Sequence, residues 1–158
     1  MNLQMPALKR CLETAGFTNV KTVLSSGNVV FDAPSSPSGK LEAELERALE
    51  KAVGRRFLIF VRSVASLERL LESEPYSAFR LPRGSKRVVT FLRTKRTAKL
   101  KLPIAFDGAR ILAISGAEVL SAYVPRPSNP AFMRLIEKTF GNEVTTRTWE
   151  TVTKVSRA

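Results

Sequence analysis

The sequence contains no histidine and only one cysteine. Without histidine, the commonest general acid and base is missing, and with it the serine and cysteine triads and most zinc or iron sites. The single cysteine, Cys11, excludes an internal disulfide and a cysteine-cluster metal site. It lies among Leu8, Leu12 and Ala15 at helical spacing, which indicates a small core residue rather than a nucleophile. We therefore expect no metal, no cofactor and no catalytic constellation.

Long apolar stretches are also missing. The longest, FLIFV at residues 57–61, has the length of a strand and is too short to cross a bilayer. The first residues lack the continuous apolar region of a signal peptide, because Gln4, Pro6, Lys9 and Arg10 interrupt them. The sequence therefore predicts a cytoplasmic protein with no membrane insertion.

Acidic residues are scarce, at 14 against 26 basic ones, and the formal net charge is +12. The excess is concentrated in residues 80–101, which contain no acid. The basic residues of this stretch are Arg80, Arg83, Lys86, Arg87, Arg93, Lys95, Arg96, Lys99 and Lys101. Such a concentration of charge attracts phosphates, nucleic acid or an acidic membrane surface. It is also typical of a solvated edge strand with flanking loops, whose charges discourage aggregation, and both interpretations stay open.

The candidate nucleic-acid-binding residues are Lys86, Arg87, Arg93, Lys95, Arg96, Lys99 and Lys101. No pair of aromatic residues on adjacent strands, as in ribonucleoprotein-type domains, is identifiable in the sequence. Binding to nucleic acid or another polyanion is therefore expected to be weak and salt-sensitive. Charge reversal at Lys95, Arg96 and Lys99 is expected to abolish it without affecting folding.

Hydrophobic spacing predicts the order helix, strand, strand, helix, strand, helix for the first half of the chain. The predicted helices cover residues 5–15, 41–53 and a segment containing Leu67, Leu70 and Leu71, and the predicted strands cover residues 20–24, 28–32 and 56–62. Ser38 is the expected N-cap of the second helix, whose glutamate and lysine side chains are expected to face outward. Ser63 or Ser66 is the expected cap of the third.

The second half is predicted to contain strands at residues 86–93, 103–106, 110–114 and 119–124, and two final helices. Asp107-Gly108 and Ser115-Gly116 are typical hairpin turns, and Asn129 is the expected cap of the first of these helices. The basic segment at residues 94–102 is a short helix or an exposed loop. These patterns predict an α+β fold with antiparallel or mixed sheets. It comprises modules at residues 1–75 and 86–158 joined by a connector at residues 76–85.

Three segments carry a family resemblance: AGFTNVKTVLSSGNVVFDA (15–33), FLIFVRSVASLERLL (57–71) and VTTRTWETVTKV (144–155). Together they resemble the bacterial family catalogued as domain of unknown function 1697, over nearly the whole chain. Ser25 stands where that family usually has glutamine, and Thr148 where it usually has asparagine. The family has no established activity, so the resemblance implies a fold and no mechanism.

Members of that family typically begin with a strand and glycine turn of the type ALLRGINVGG. Here MNLQMPALKRCLE is similar to the segment just after it. With that strand, the first half would have the βαββαβ order of a ferredoxin-like module, and the strand would be central in its sheet. Two ferredoxin-like modules, the first without its first strand, are therefore expected. We also expect a start codon upstream of Met1, and a stop codon immediately upstream in the genomic frame would exclude it.

A second candidate site is an anion-binding one. In the turn after residue 24, Ser26, Gly27 and Asn28 offer a hydroxyl, backbone N–H groups and an amide to an anion, although a tight glycine turn explains the same residues. Thr145 or Thr146 is expected to cap the last helix. Arg147 would then lie in its first turn, where the helix dipole disfavours a cation unless it binds an anion or a carboxylate.

Two functions remain. The first is a binding or accessory protein whose basic face, residues 80–101, holds nucleic acid or another polyanion. The second is a small anionic-ligand-binding protein, or an enzyme, with a site between the two modules and contacts from Arg147 and the serine-glycine turn. The sequence leans against an enzyme because it shows no catalytic constellation.

Overall fold

The computed structural model describes residues 4–24, 27–95 and 100–158. Within them the predicted α+β class is confirmed, with one two-stranded and one five-stranded antiparallel sheet. The chain divides into two compact units, Met1–Leu67 with Thr153–Ala158, and Glu68–Val152. The ferredoxin-like assignment, the modules at residues 1–75 and 86–158 and the upstream start stay predictions. None of the helices in the described residues has the length and apolar character needed to cross a membrane.

The helices are α1 (Met5–Thr14), α2 (Ser38–Val53), α3 (Val64–Glu72), α4 (Ala131–Phe140) and α5 (Trp149–Arg157), and a 3-10 turn covers Pro75–Ala78. The strands are β1 (Thr18–Val23), β2 (Asn28–Asp32), β3 (Lys86–Leu92), β4 (Ile104–Phe106), β5 (Ala109–Ser115), β6 (Glu118–Tyr123) and β7 (Val144–Thr148).

The core of the first unit lies between α1, α2 and the β1–β2 hairpin. It consists of Leu8, Leu12, Phe17, Val20, Leu45, Leu49 and Val61. Cys11 packs against this core and is half-buried, as its helical spacing predicts, and burial raises the pKa of its thiol. The end of α2 is also as predicted, because Gly54 adopts the left-handed conformation that glycine tolerates best. The predicted Ser38 cap is wrong: Ser38 is the first helical residue and Pro37 precedes it.

The predicted strand at residues 56–62 is wrong, because this segment belongs to neither sheet of the described chain. Two of its backbone N–H groups instead donate to side chains of α2: Ile59 to Glu46 Oε1 at 3.1 Å, and Val61 to Glu42 Oε2 at 2.9 Å. Glu42, predicted to face outward, is only 3% exposed. Buried backbone groups need partners, and here carboxylates supply what a neighbouring strand otherwise would.

The five-stranded sheet has the order β4-β5-β6-β3-β7, so β3 is flanked on both sides. Its apolar centre, residues 88–92, is buried, as the sequence predicts. The predicted turn at Asp107-Gly108 is confirmed, since both residues have positive φ and join the paired strands β4 and β5. The helix α4 covers one face of the sheet with an apolar cluster that includes Val88, Ile111 and Ile136. Asn129 Oδ1 accepts from the N–H of Ala131, where α4 begins.

The start predicted for the last helix is wrong. Residues 144–148 form the strand β7, which pairs with β3 over five residue pairs, and α5 begins only at Trp149. The capping residue is Thr148, whose Oγ1 accepts the N–H of Thr151 at 3.2 Å, and not Thr145 or Thr146. The β-branched residues of this stretch favour a strand wherever a sheet edge is open, and β3 offers that edge.

Two side-chain hydroxyls are buried on one face of the five-stranded sheet. Thr90 Oγ1 on β3 and Ser121 Oγ on β6 are fully buried and have no hydrogen-bond partner among the described residues. Thr90 lies opposite Val119 and Ser121 lies opposite Val88, so the two are diagonal neighbours on one face. A buried hydroxyl without a partner retains its desolvation cost and gains no bond.

We therefore expect Thr90→Val to raise the free energy of unfolding by about 1 kcal/mol, because the shape is kept and the unpaired hydroxyl is removed. Urea denaturation measures the change. Thr148→Val on the adjacent strand is the matched control, and it should lower stability by about 1 kcal/mol because it removes the cap of α5. Destabilisation by Thr90→Val would show that the Thr90 hydroxyl is bonded in solution.

Candidate polyanion-binding site

The strand β3 separates the basic stretch into two groups. Lys86 and Arg87 are its first two residues, whereas Arg93 and Lys95 follow its last residue. At about 3.3 Å per residue, the two groups lie roughly 20 Å apart along the strand. The basic residues predicted to share one face are therefore placed at opposite ends of the sheet. Arg96 and Lys99 lie outside the described residues, and Lys101 follows them as an exposed residue.

A further arginine joins the first group. Arg87 on β3 and Arg110 on β5 both lie opposite Ala122 of β6, one on each side of it. They therefore share a face of the sheet, two strand spacings or about 10 Å apart. Lys86 lies in the next row, on the other face, opposite Tyr123. We call Lys86, Arg87 and Arg110 the basic end of the sheet.

The positive charge of the basic end is not neutralised by any acidic residue of the described chain. The three residues of this end are exposed, and no acidic side chain of the described chain pairs with any of them. Asp107, in the adjoining β4–β5 turn, is already bound by Arg126 at 2.6 Å. The hydrogen bond and the charge of Arg126 lower the pKa of the Asp107 carboxyl, so this acid stays ionised and engaged.

Two further features distinguish the two ends of β3. At the basic end, the guanidinium of Arg87 lies 5.7 Å from the centre of the Tyr76 ring, a distance at which a cation and an aromatic face attract. At the other end, Glu118 lies opposite Phe91, two residues before Arg93, and adds an acid to that group. Among the described residues, the basic end therefore has no acidic neighbour on the paired strand, whereas the other end has Glu118.

Arg147, the main residue of the second candidate site, lies on β7 opposite Val89 and not in the first turn of a helix. The predicted conflict between Arg147 and a helix dipole is therefore wrong. Its Nη1 donates to Thr145 Oγ1 at 2.9 Å and to the carbonyl of Thr146 at 2.7 Å. Partial burial lowers the pKa of the guanidinium. Local groups thus satisfy part of the hydrogen-bonding capacity that was expected to hold an anion.

Gly27 and Asn28 are the described residues of the serine-glycine turn. Gly27 has a φ of 89°, which glycine adopts readily, and Asn28 is buried with its Nδ2 donating to the carbonyl of Val23 at 3.2 Å. Ser25 and Ser26 lie outside the described residues. Gly27 and Asn28 belong to the first unit and Arg147 to the second, so their common role in binding an anion stays a prediction.

Sequence reasoning did not find Arg110, because it lies beyond residues 80–101 and only strand register brings it beside Arg87. Its position as the first exposed residue of a predicted strand after a hairpin turn was the available signal. No group of three cysteine, aspartate or glutamate side chains suited to a metal ion occurs within residues 4–24, 27–95 and 100–158.

Comparison with known proteins gives a family and a fold. A family model described as "Protein of unknown function (DUF1697)" matches residues 1–110. Among solved structures, the conserved bacterial protein SP0830 from Streptococcus pneumoniae is similar, with a TM-score of 0.69 and 19% sequence identity. The alignment covers 99% of this chain and 88% of that one. At this identity the likeness concerns the fold alone. No curated protein matches the chain.

Proposed function

The chain belongs to the DUF1697 family of proteins of unknown function, and we propose that it is a binding or accessory protein that holds nucleic acid or another polyanion at the basic end. The observation that carries the proposal is the position of Lys86, Arg87 and Arg110 in two adjacent rows at one end of the sheet. Arg87 and Arg110 lie on one face and Lys86 on the other, and all three are exposed and without acidic partners among the described residues. Cations so placed contact phosphates without reading sequence.

The proposed binding is electrostatic in origin. Each phosphate that a lysine or arginine neutralises releases a counterion, so affinity falls steeply as salt concentration rises. The sheet fixes the backbone of these residues, so the Cα atoms of Arg87 and Arg110 stay about 10 Å apart. We therefore propose weak, salt-sensitive and sequence-independent binding, with no catalytic step.

Two double variants test where the polyanion binds. Lys86→Glu with Arg110→Glu reverses two charges at the basic end, and Lys95→Glu with Lys101→Glu makes the same net change elsewhere. Arg87 is left intact because it packs on Tyr76. We expect the first pair to weaken binding of a labelled oligonucleotide by about tenfold or more. It should also reduce the slope of log affinity against log salt by about 1.4 to 1.8, the value for two phosphate contacts. The second pair should change the affinity and the salt slope much less.

Fluorescence anisotropy across a salt titration measures both quantities, and thermal unfolding checks that each variant is folded. Equal losses in the two pairs would show that net charge alone, and not the basic end, governs binding. If the wild-type chain does not bind even at low salt, the proposal fails. The alternative, a small anionic-ligand-binding protein or enzyme using Arg147, would then be favoured by an anionic metabolite that raises the unfolding temperature of the wild type but not of Arg147→Ala.

A further inference from the structure

Phe106 is the most exposed large apolar side chain of the described residues, at 50%. It is the last residue of β4, an edge strand, and lies opposite Ala109. Ala109 in turn lies opposite Tyr123, which lies opposite Lys86. Phe106 and Lys86 therefore occupy one row and one face of the sheet, three strand spacings or about 14 Å apart. An exposed aromatic ring and a lysine of the basic end are thus held in register.

The position of Phe106 is well fixed. It immediately precedes the Asp107-Gly108 turn, and Arg126 ties that turn to the following loop through the carbonyl of Asp107 at 2.9 Å and its carboxylate at 2.6 Å. Edge strands are usually protected by charged residues or proline, and here a phenylalanine lies at the end of the edge. A single exposed apolar residue is common, so its significance comes from the neighbouring cations.

The surface beside this row is concave and partly aromatic. Tyr123 and the prolines of the next loop, Pro125, Pro127 and Pro130, line an open pocket together with Arg126. The Tyr123 ring stacks on Phe132 of α4 at 4.9 Å with an interplanar angle of 17°, which fixes its orientation. Flat apolar rings next to cations provide the two components that unpaired bases and their phosphates require.

We infer that the polyanion is a single-stranded nucleic acid, with an unpaired base stacked on Phe106 and a neighbouring phosphate held by Lys86, which lies on the same face of the sheet. This inference rests on the proposed function and narrows it. In a duplex the base faces are stacked on one another and closed to a protein side chain, so Phe106 contributes nothing to duplex binding. In a single strand each base has a free face, and stacking on an aromatic ring is sequence-tolerant.

The test compares Phe106→Ala with Leu58→Ala, which truncates an equally exposed residue (48%) of the first unit. Labelled single-stranded RNA, single-stranded DNA and duplex DNA of equal length are titrated at several salt concentrations. We expect Phe106→Ala to weaken single-strand binding by about tenfold, as for the loss of one base–aromatic stack, with an unchanged salt slope and unchanged duplex binding. Phe106→Trp should restore the affinity, and Leu58→Ala should have no effect.

The possible results separate this inference from the proposed function. If single strands and duplex bind alike and Phe106→Ala is silent while the charge reversals weaken binding, the inference is overturned and the proposed function stands. If no nucleic acid binds, both fail. If Phe106→Ala also weakens duplex binding, or Phe106→Trp fails to rescue a folded protein, stacking is excluded as the cause. A difference between the RNA and DNA arms identifies the preferred strand.

Discussion

Glu42→Ala is expected to lower the free energy of unfolding by about 3 kcal/mol, although a glutamate on an amphipathic helix is usually replaceable. The Glu42 carboxylate is buried, accepts the N–H of Val61 at 2.9 Å and lies 3.8 Å from the guanidinium of Arg62. Truncation to alanine leaves the buried N–H of Val61 unpaired. It also removes the charge partner of Arg62, whose side chain is mostly buried. Each loss is costly because water does not replace the missing group.

Two further variants separate the components of this effect. Glu42→Gln keeps an oxygen that accepts the N–H of Val61 and removes only the charge. It should therefore lower the free energy of unfolding by about 1 kcal/mol. Glu50→Ala on the same helix is the matched control: its ion pair with Arg56, at 3.7 Å, is exposed and should contribute no more than about 0.5 kcal/mol. Urea denaturation at neutral pH measures all three. Equal effects of Glu42→Ala and Glu50→Ala would contradict a structural role for the buried carboxylate.

Glu42 also shows what helical periodicity predicts and what it does not. The spacing of Leu41, Leu45 and Leu49 predicts the buried face of α2, and Leu45 and Leu49 are indeed buried. The same pattern predicts that glutamates face solvent, and for Glu42 this is wrong. Its burial depends on an extended segment nineteen residues away that needs hydrogen-bond acceptors. No local pattern distinguishes a carboxylate that accepts backbone N–H groups from a solvated one.

Local chemistry predicts local structure well. The Asp107-Gly108 turn and the termination of α2 at Gly54 follow from the conformations that these residues tolerate, and both are confirmed. The stretch from Val144 to Thr148 is different, because its threonines suit either the start of a helix or a strand. The pairing with β3, more than fifty residues earlier, decides for the strand. That long-range contact cannot be read from the stretch itself.

The candidate site was also predicted only in part, because it too depends on long-range strand pairing. Lys86 and Arg87 stand out in the sequence because they lie in a basic stretch. Arg110 and Phe106 do not, since a single arginine and a single phenylalanine beside a turn are unremarkable in composition. Strand register places them next to the basic residues. A two-dimensional arrangement of side chains is therefore the part of the site that sequence reasoning missed.

Tyr76, the first residue of the predicted connector at residues 76–85, is a core residue of the second unit and is only 5% exposed. Its hydroxyl donates to the carbonyl of Val88 at 2.7 Å, and its ring meets Trp149 edge-on at 5.0 Å. Burial raises the pKa of Tyr76 well above its ordinary value near 10. Burial disfavours the charged phenolate, because little water is available to solvate it.

The stability of the protein should therefore depend on alkaline pH through Tyr76. The folded state binds the phenolic proton more tightly than the unfolded state, so this stabilisation is complete below about pH 10 and is lost as the pH rises further. The loss from this one group approaches about 1.4 kcal/mol per pH unit. Tyr76→Phe removes the titrating group. It should cost about 1 to 2 kcal/mol at neutral pH, because the Val88 carbonyl loses its donor, and the deficit should shrink or reverse above about pH 10.

Urea denaturation of wild type and Tyr76→Phe from neutral pH to about pH 11 measures this crossover, because the groups common to both proteins cancel in the difference. Val152→Ala is the matched control: it truncates a buried residue of α5 without removing an ionisable group, so its deficit should stay constant over the same range. A Tyr76→Phe deficit that also stays constant would mean that the Tyr76 phenol ionises as readily in the folded state as in the unfolded one. Its hydroxyl would then be open to water, and its bond to Val88 would not persist in solution.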